Sequence, residues 1–227
     1  MSGPEHWAPR CAPLGIPGSD TSSPDNPRGP AARVRRRQAA LAAAQEVFVA
    51  HGYHGATMDE ICMVAGMSKP VLYGDFTSKL DLYLAVLQHY LDRMVAGLRA
   101  ATTAGGESRD KVRRAVLVYF DFVEDDAGGY ILVFESSVPS EPCVQWRVRN
   151  AMRECAILVS AELRASGVEE LQADAHAWSL VGAAHLTARH WLDAGRPISK
   201  NEAVEAVVAL CWDGLPTSGR DIGSATV

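Results

Sequence analysis

The sequence predicts an all-α fold of about nine helices, and three observations carry the prediction. Apolar residues recur at three- and four-residue spacing from about residue 33 to residue 213, no run alternates as a strand, and capping residues, glycines and prolines punctuate the pattern at helix-length intervals. With 227 residues, 48% of them apolar, such a chain buries roughly 70% of its unfolded surface without needing a disulfide or a metal. No stretch approaches the ~18 consecutive apolar residues of a membrane span, and the N-terminus lacks an apolar signal segment, so a cytoplasmic chain with no membrane partner is expected. The five cysteines are scattered with no C-x-x-C pair, which predicts reduced thiols and neither a disulfide framework nor a zinc site.

Residues 1–30 hold seven of the twelve prolines and four glycines, the composition of a disordered tail. From Arg33 the pattern turns helical: Leu41, Ala44, Val47 and Phe48 share a face until His51-Gly52 stops the helix. Thr57, with Glu60 three residues on, reads as a capping box for a two-turn helix running through Ile61 and Val64 to Gly66. Ser68 caps a third helix, with Lys69 and Pro70 in its first turn, where a missing proline N–H removes no internal bond. Thr77-Ser78-Lys79 open a long amphipathic helix with Leu80, Leu84, Leu87, Leu91 and Met94 or Val95 on one face, fading by Gly106. Further helices are predicted at 108–126, 128–137, 141–166, 170–194 and 199–213, separated by Gly128-Gly129, Pro139, Gly167 and Gly195-Arg196-Pro197.

The net charge of −5 argues by itself against a polyanionic partner, but its distribution does not. Residues 1–106 carry 10 Lys/Arg against 9 Asp/Glu, and residues 107–227 carry 12 against 18. Arg28, Arg33, Arg35, Arg36 and Arg37 fall within ten residues with no acid among them. Alone, such a run is a solvated tail as readily as a phosphate-binding element.

What decides between these is the stretch Thr57 to Phe76, in which two short helices meet across Gly66. Ile61, Val64 and Ala65 from the first and Leu72 and Phe76 from the second supply apolar faces for a steep crossing, leaving Ser68, Lys69 and Tyr73 outside. The second helix can then lie in a major groove, with its first turn and Lys69 toward phosphates. Three features coincide: a helix ending Phe48-Val-Ala-His-Gly-Tyr53, the Thr57 cap, and Ser68-Lys-x-x-Leu-Tyr-x-x-Phe-x-Ser-Lys79. Over residues 36–82 these motifs resemble the TetR family of one-component transcription regulators. Within it, Lys69-Pro-Val-Leu-Tyr73, Phe120-Asp-Phe-Val123 and Gly129-Tyr130-x-x-x-Phe134 look like a subgroup of actinobacterial lipid-metabolism regulators.

The resemblance implies a disordered tail at 1–30, a helix-turn-helix DNA-binding domain at 31–78, a ligand-binding and dimerisation domain at 79–215, and a flexible tail at 216–227. It implies DNA contacts from Thr57, Ser68, Lys69, Tyr73 and Lys79, whose hydroxyl and ammonium groups suit phosphates and base edges. Arg33, Arg35, Arg36 and Arg37, just ahead of helix one, would add an arm reaching phosphates or a narrow minor groove. Two positions depart from the family pattern. Gly74 weakens a short helix and reads no base, while Asp75 is expected to face the phosphates and limit affinity.

In the second half, Tyr119, Phe120, Val123, Phe134, Trp146, Met152, Trp178 and Val181 read first as core, and the resemblance implies that some of them line an effector cavity. Arg147, Arg149 and Arg153 form either a solvated face or a site for a phosphate-bearing head group such as that of coenzyme A. Leu171, Ala175, Trp178, Gly182 and Leu186 in one helix, and Val204, Val208 and Trp212 in the next, are expected to form a homodimer interface. The seven histidines show no metal-ligand spacing and no G-x-S-x-G elbow occurs, so no cofactor, no metal and no catalysis are expected. The expected function is a ligand-responsive regulator, a repressor released from a palindromic double-stranded operator by a small apolar effector, lipid or acyl-CoA. The competing reading is a helical ligand- or protein-binding module with a degenerate DNA head; a helical enzyme is the third.

Overall fold

Helix α1 (Pro30–Gly55) opens on Pro30, where the absent N–H costs nothing, with Arg33 N donating to Gly29 O at 3.0 Å. This computed structural model describes residues 29–125, Gly129, Leu132 and 141–213. Both expected tails, except Gly29 and Pro30, and the expected helix at 128–137, apart from Gly129 and Leu132, lie outside the described residues. The arginine cluster proves to be part of α1, not an arm ahead of it. Ala31 and Ala32, the best helix formers, follow Pro30 directly and the arginines continue the run, so the helix begins about a turn earlier than its apolar pattern. Gly52 breaks the helical geometry at φ 66°, ψ 172°, a region essentially reserved for glycine, and one further turn follows.

Helices α2 (Met58–Ala65) and α3 (Lys69–Asp75) follow, and then the long α4 (Lys79–Thr103). After it come α5 (Ser108–Asp125), α6 (Pro142–Ala165), α7 (Glu170–Asp193) and α8 (Lys200–Val208), which runs into a π-helical turn, Ala209–Asp213. The described residues are all-helical, with eight α-helices and no strand. Helix α8 carries a complete capping box: Ser199 Oγ accepts from Glu202 N, and Glu202 accepts from Ser199 N at 2.9 Å.

Two compact units result. One holds the described residues of 29–93 and 126–152, the other 94–125 and 153–213, so α4 and α6 each contribute to both. In the first, Phe48, Ile61, Leu72, Phe76, Tyr83 and Leu87 are fully buried, and Phe48 meets Tyr83 edge-on at 5.2 Å. Residues 82–87 of α4 are buried on every side, which makes α4 a central helix and not the one-faced helix its leucines suggest. In the second, Phe120 packs edgewise on Trp191 at 5.5 Å, and Val112, Ala177, Ala188, Val204 and Val208 close the core. Cys62 and Cys155 are free and buried, and Cys211 is free and exposed. Cys143 is disulfide-bonded, which corrects the expectation of thiols throughout; scattered spacing rules out a framework but not a single bond.

Candidate nucleic-acid interface

The first unit builds its outer face from α1, α2 and α3. Thr57 Oγ1 accepts from Glu60 N at 3.2 Å, but the Glu60 carboxylate turns to His51 Nε2 at 2.9 Å, so only half of the expected capping box forms. Gly66 ends α2 at φ 62°, with its N–H on the Cys62 and Met63 carbonyls, and this left-handed step turns the chain into α3. Met58, Ile61 and Cys62 supply the buried face of α2, while Val64, expected there, is exposed. Positions 58, 61, 62 and 65 are one helical stripe, and 64 lies off it.

That packing leaves the predicted DNA-facing residues mostly outward. Thr57, Ser68, Lys69 and Tyr73 are exposed, Tyr73 by 47%. The Ser68 side chain makes no capping bond, so its hydroxyl is available to an outside acceptor. Lys69 Nζ rests on Asp59 Oδ1 at 2.6 Å, both ends in solvent, and this carboxylate raises the lysine pKa. Lys79 is used differently. Its ammonium donates to Tyr53 O at 2.8 Å and Ala56 O at 2.9 Å and lies 4.7 Å from the Tyr53 ring centroid, tying the end of α1 to the start of α4.

Asp75 is where the structure departs most from expectation. Its side chain is only 5% exposed, and it faces α1 instead of the solvent where DNA would lie. Arg36 Nε donates to Asp75 Oδ2 at 3.0 Å, Arg33 Nε stands 3.6 Å from Oδ1, and Arg37 donates to the Asp75 backbone carbonyl at 3.2 Å. The Arg37 guanidinium also lies 4.3 Å from the Phe76 ring centroid. Facing a run of arginines, a carboxylate at this helix end is neutralised by them and is not left to repel phosphate. Between them lies an open crevice of about 450 Å³ lined by Arg33, Arg36, Pro70, Val71, Gly74 and Asp75. No sequence pattern announces this clamp, because its partners are 38 to 42 positions apart.

The model of bacterial regulatory proteins of the tetR family matches residues 40–86, the segment that builds this face. The transcriptional activator FasR of Mycolicibacterium smegmatis is 47% identical over 184 residues, 81% of this chain and 84% of that protein. The chain belongs to the TetR family. Among solved structures, a TetR-like transcriptional regulator from Rhodococcus sp. is 29% identical with a TM-score of 0.65, covering 79% of this chain and 95% of that one. The Bacillus subtilis regulator FadR in complex with stearoyl-CoA shares the fold at a TM-score of 0.69 and 16% identity, covering 79% and 99%. As a TetR-family member, the chain is a DNA-binding transcriptional regulator and not an enzyme.

In the second unit Tyr119, Phe120, Val123 and Val181 are buried, but Trp178 is 49% exposed and stands on the outer face of α7. It therefore leaves the expected cavity set and keeps only its expected place with Leu171, Ala175, Gly182 and Leu186, which recur with it at helical spacing on one stripe. Val204 and Val208 leave the expected dimer set: both are fully buried within their own chain, because the inner face of α8 packs on α5 and α7. Trp212 stays partly exposed. Tyr119 and Cys155 lie together, where burial drives the tyrosine pKa well up and the thiol to about 11. In the first unit Trp146 is exposed and Met152 half-buried, while Phe134 lies outside the described residues.

Sequence reasoning also missed a buried cation. Arg147 is 6% exposed, donates to Gln88 Oε1, and its Nε has no partner among the described residues. Burial lowers its pKa against the opposing pull of Asp92 and Asp81. Arg149 and Arg153 are exposed.

Proposed function

We propose that two copies of the chain bind a palindromic operator, each laying α3 in a major groove, and that an acyl-CoA-type effector tunes this binding. The observation that carries the DNA half is the exposure of Thr57, Ser68, Lys69 and Tyr73 about the α2–α3 turn, with exposed Arg33 lining one crevice with Pro70, Val71 and Gly74 of α3, groups suited to phosphates and base edges. Two reading heads on a palindrome must sit about 34–36 Å apart, one helical turn, so an effector that alters their spacing changes affinity. The degenerate-head alternative rested on Gly74 and Asp75, and it loses the second, because the Asp75 carboxylate is committed to arginines. For the effector, the buried Arg147 guanidinium, whose Nε has no partner among the described residues, suits an acidic head group, and stearoyl-CoA is the compound held by FadR. The expected sign was repression; the 47% identical relative is named an activator, and activation is the reading adopted.

Selection of bound fragments from the source genome tests this directly. Enrichment of one inverted repeat, with binding shifted by stearoyl-CoA but not by coenzyme A alone, supports the reading. A flat fragment distribution refutes it. Transcription in vitro from the recovered promoter should rise on adding the protein, and a fall would restore the repressor reading.

A further inference from the structure

The family resemblance says nothing of Asp75 beyond its being unusual, yet three arginines of α1 converge on it, two at its carboxylate and one at its carbonyl. We propose that Asp75 is the positioning residue of that head: its carboxylate bridges Arg33 and Arg36 of α1 to the end of α3, so that arginine cluster and recognition helix meet DNA as one preorganised body. This deepens the DNA-binding reading and rests on it.

The two arginines on the carboxylate are held unequally. Arg36 makes a direct 3.0 Å hydrogen bond and its side chain is about two-thirds covered, whereas Arg33 is 3.6 Å away and 63% exposed. Arg37, donating to the Asp75 carbonyl and covering the Phe76 ring, adds a second tether at the same helix end. Arg36 and Arg37 therefore serve as latches, while Arg33 can exchange its carboxylate for a phosphate. The place for that phosphate is the crevice over Gly74, where nothing lies within 4 Å of the position a side chain would take. With Asp75 in place, three arginines and one acid leave a net positive rim, and holding it rigid spares ordering entropy when DNA arrives. Preorganisation of this kind favours the duplex whose geometry fits, so its loss should be felt on the operator and not on random DNA.

The test uses the full chain with Asp75→Asn, Arg36→Ala and Arg33→Ala, titrated against the selected operator and a random duplex over a range of salt, with urea unfolding of each. Asp75→Asn and Arg36→Ala should each cost about tenfold or more on the operator and little on random DNA, so the specificity ratio falls. Arg33→Ala should instead flatten the log–log salt slope by about 0.9, one phosphate contact, on both duplexes. Equal weakening on the two duplexes would make Asp75 a purely structural group and overturn the proposal, as would no change. Tightening on both would make it a phosphate-repelling residue. If Asp75→Asn does not fold, Arg36→Ala carries the same ratio test. A wild-type chain that selects no operator fails the DNA-binding reading itself; a wild type that binds with an unchanged ratio in the variants fails only this proposal.

Discussion

Two glycines show how a single missing side chain can have opposite meanings. Gly74 lies in α3 with nothing within 4 Å of an added Cβ and without a positive φ, so its only effect on the helix is the entropy it loses on ordering. Gly74→Ala should raise stability by up to about 1 kcal/mol, read as a higher urea midpoint at unchanged slope. Gly129 is the reverse: an added Cβ would stand 2.3 Å from the ring of Tyr90, a residue only 1% exposed. Gly129→Ala should cost about 1–3 kcal/mol by overpacking, and an unchanged midpoint would show that the ring can move aside. His185 sets a pH dependence. Burial and Arg189 lower its pKa below 6.5, so as the pH falls the unfolded chain takes up the proton first. Its contribution is complete above 6.5 and lost as the pH falls through the depressed value, and His185→Gln should flatten the decline in urea midpoint between pH 7 and 5.

Among the elements, the joint between α1 and α4 depends on one ammonium group. Lys79 reaches the Tyr53 and Ala56 carbonyls after the Gly52 break, and these acceptors have no helical partners beyond it. Lys79→Met keeps the stem and removes the donors, and should destabilise the first unit by about 1.5–3 kcal/mol, the range for bonds to a charged group. A loss confined to DNA affinity, with the urea midpoint unchanged, would instead give Lys79 the phosphate role that the family resemblance implies. The helices themselves were legible because their signals are local: Gly66, Ser68, Ser199 and Gly195 mark ends within a residue or two of where they fall. The clamp on Asp75, the burial of Arg147 and the saturation of Lys79 were not, since each joins residues 23 or more positions apart and no spacing rule reaches that far. Val204 and Val208 were misplaced for a related reason. A period-3.6 apolar face says that it is covered, not whether its own chain or a second copy covers it.

For the whole molecule, that distinction fixes how the proposed dimer should be tested. Leu171 at 77% exposure, Leu186 at 64% and Trp178 at 49% lie on one stripe of α7 with Ala175 and Gly182 between them, an outward apolar face that folding of the protomer leaves uncovered. An exposed stripe of this kind marks an interaction surface, and a two-fold axis across it would pair each residue with its own counterpart or a near neighbour, the small residues letting the helices approach. A substitution there spares the core. Leu186→Lys should therefore give folded monomers in sedimentation at micromolar concentration, with helical content intact and operator affinity lost through the missing second head. Val208→Lys, in contrast, puts a charge into a fully buried site and should unfold the second unit before it reports anything about association. If Leu186→Lys sediments as the wild type does, the α7 stripe is not the dimer face. If Val208→Lys yields a folded monomer, the inner face of α8 is less committed to its own protomer than its burial indicates.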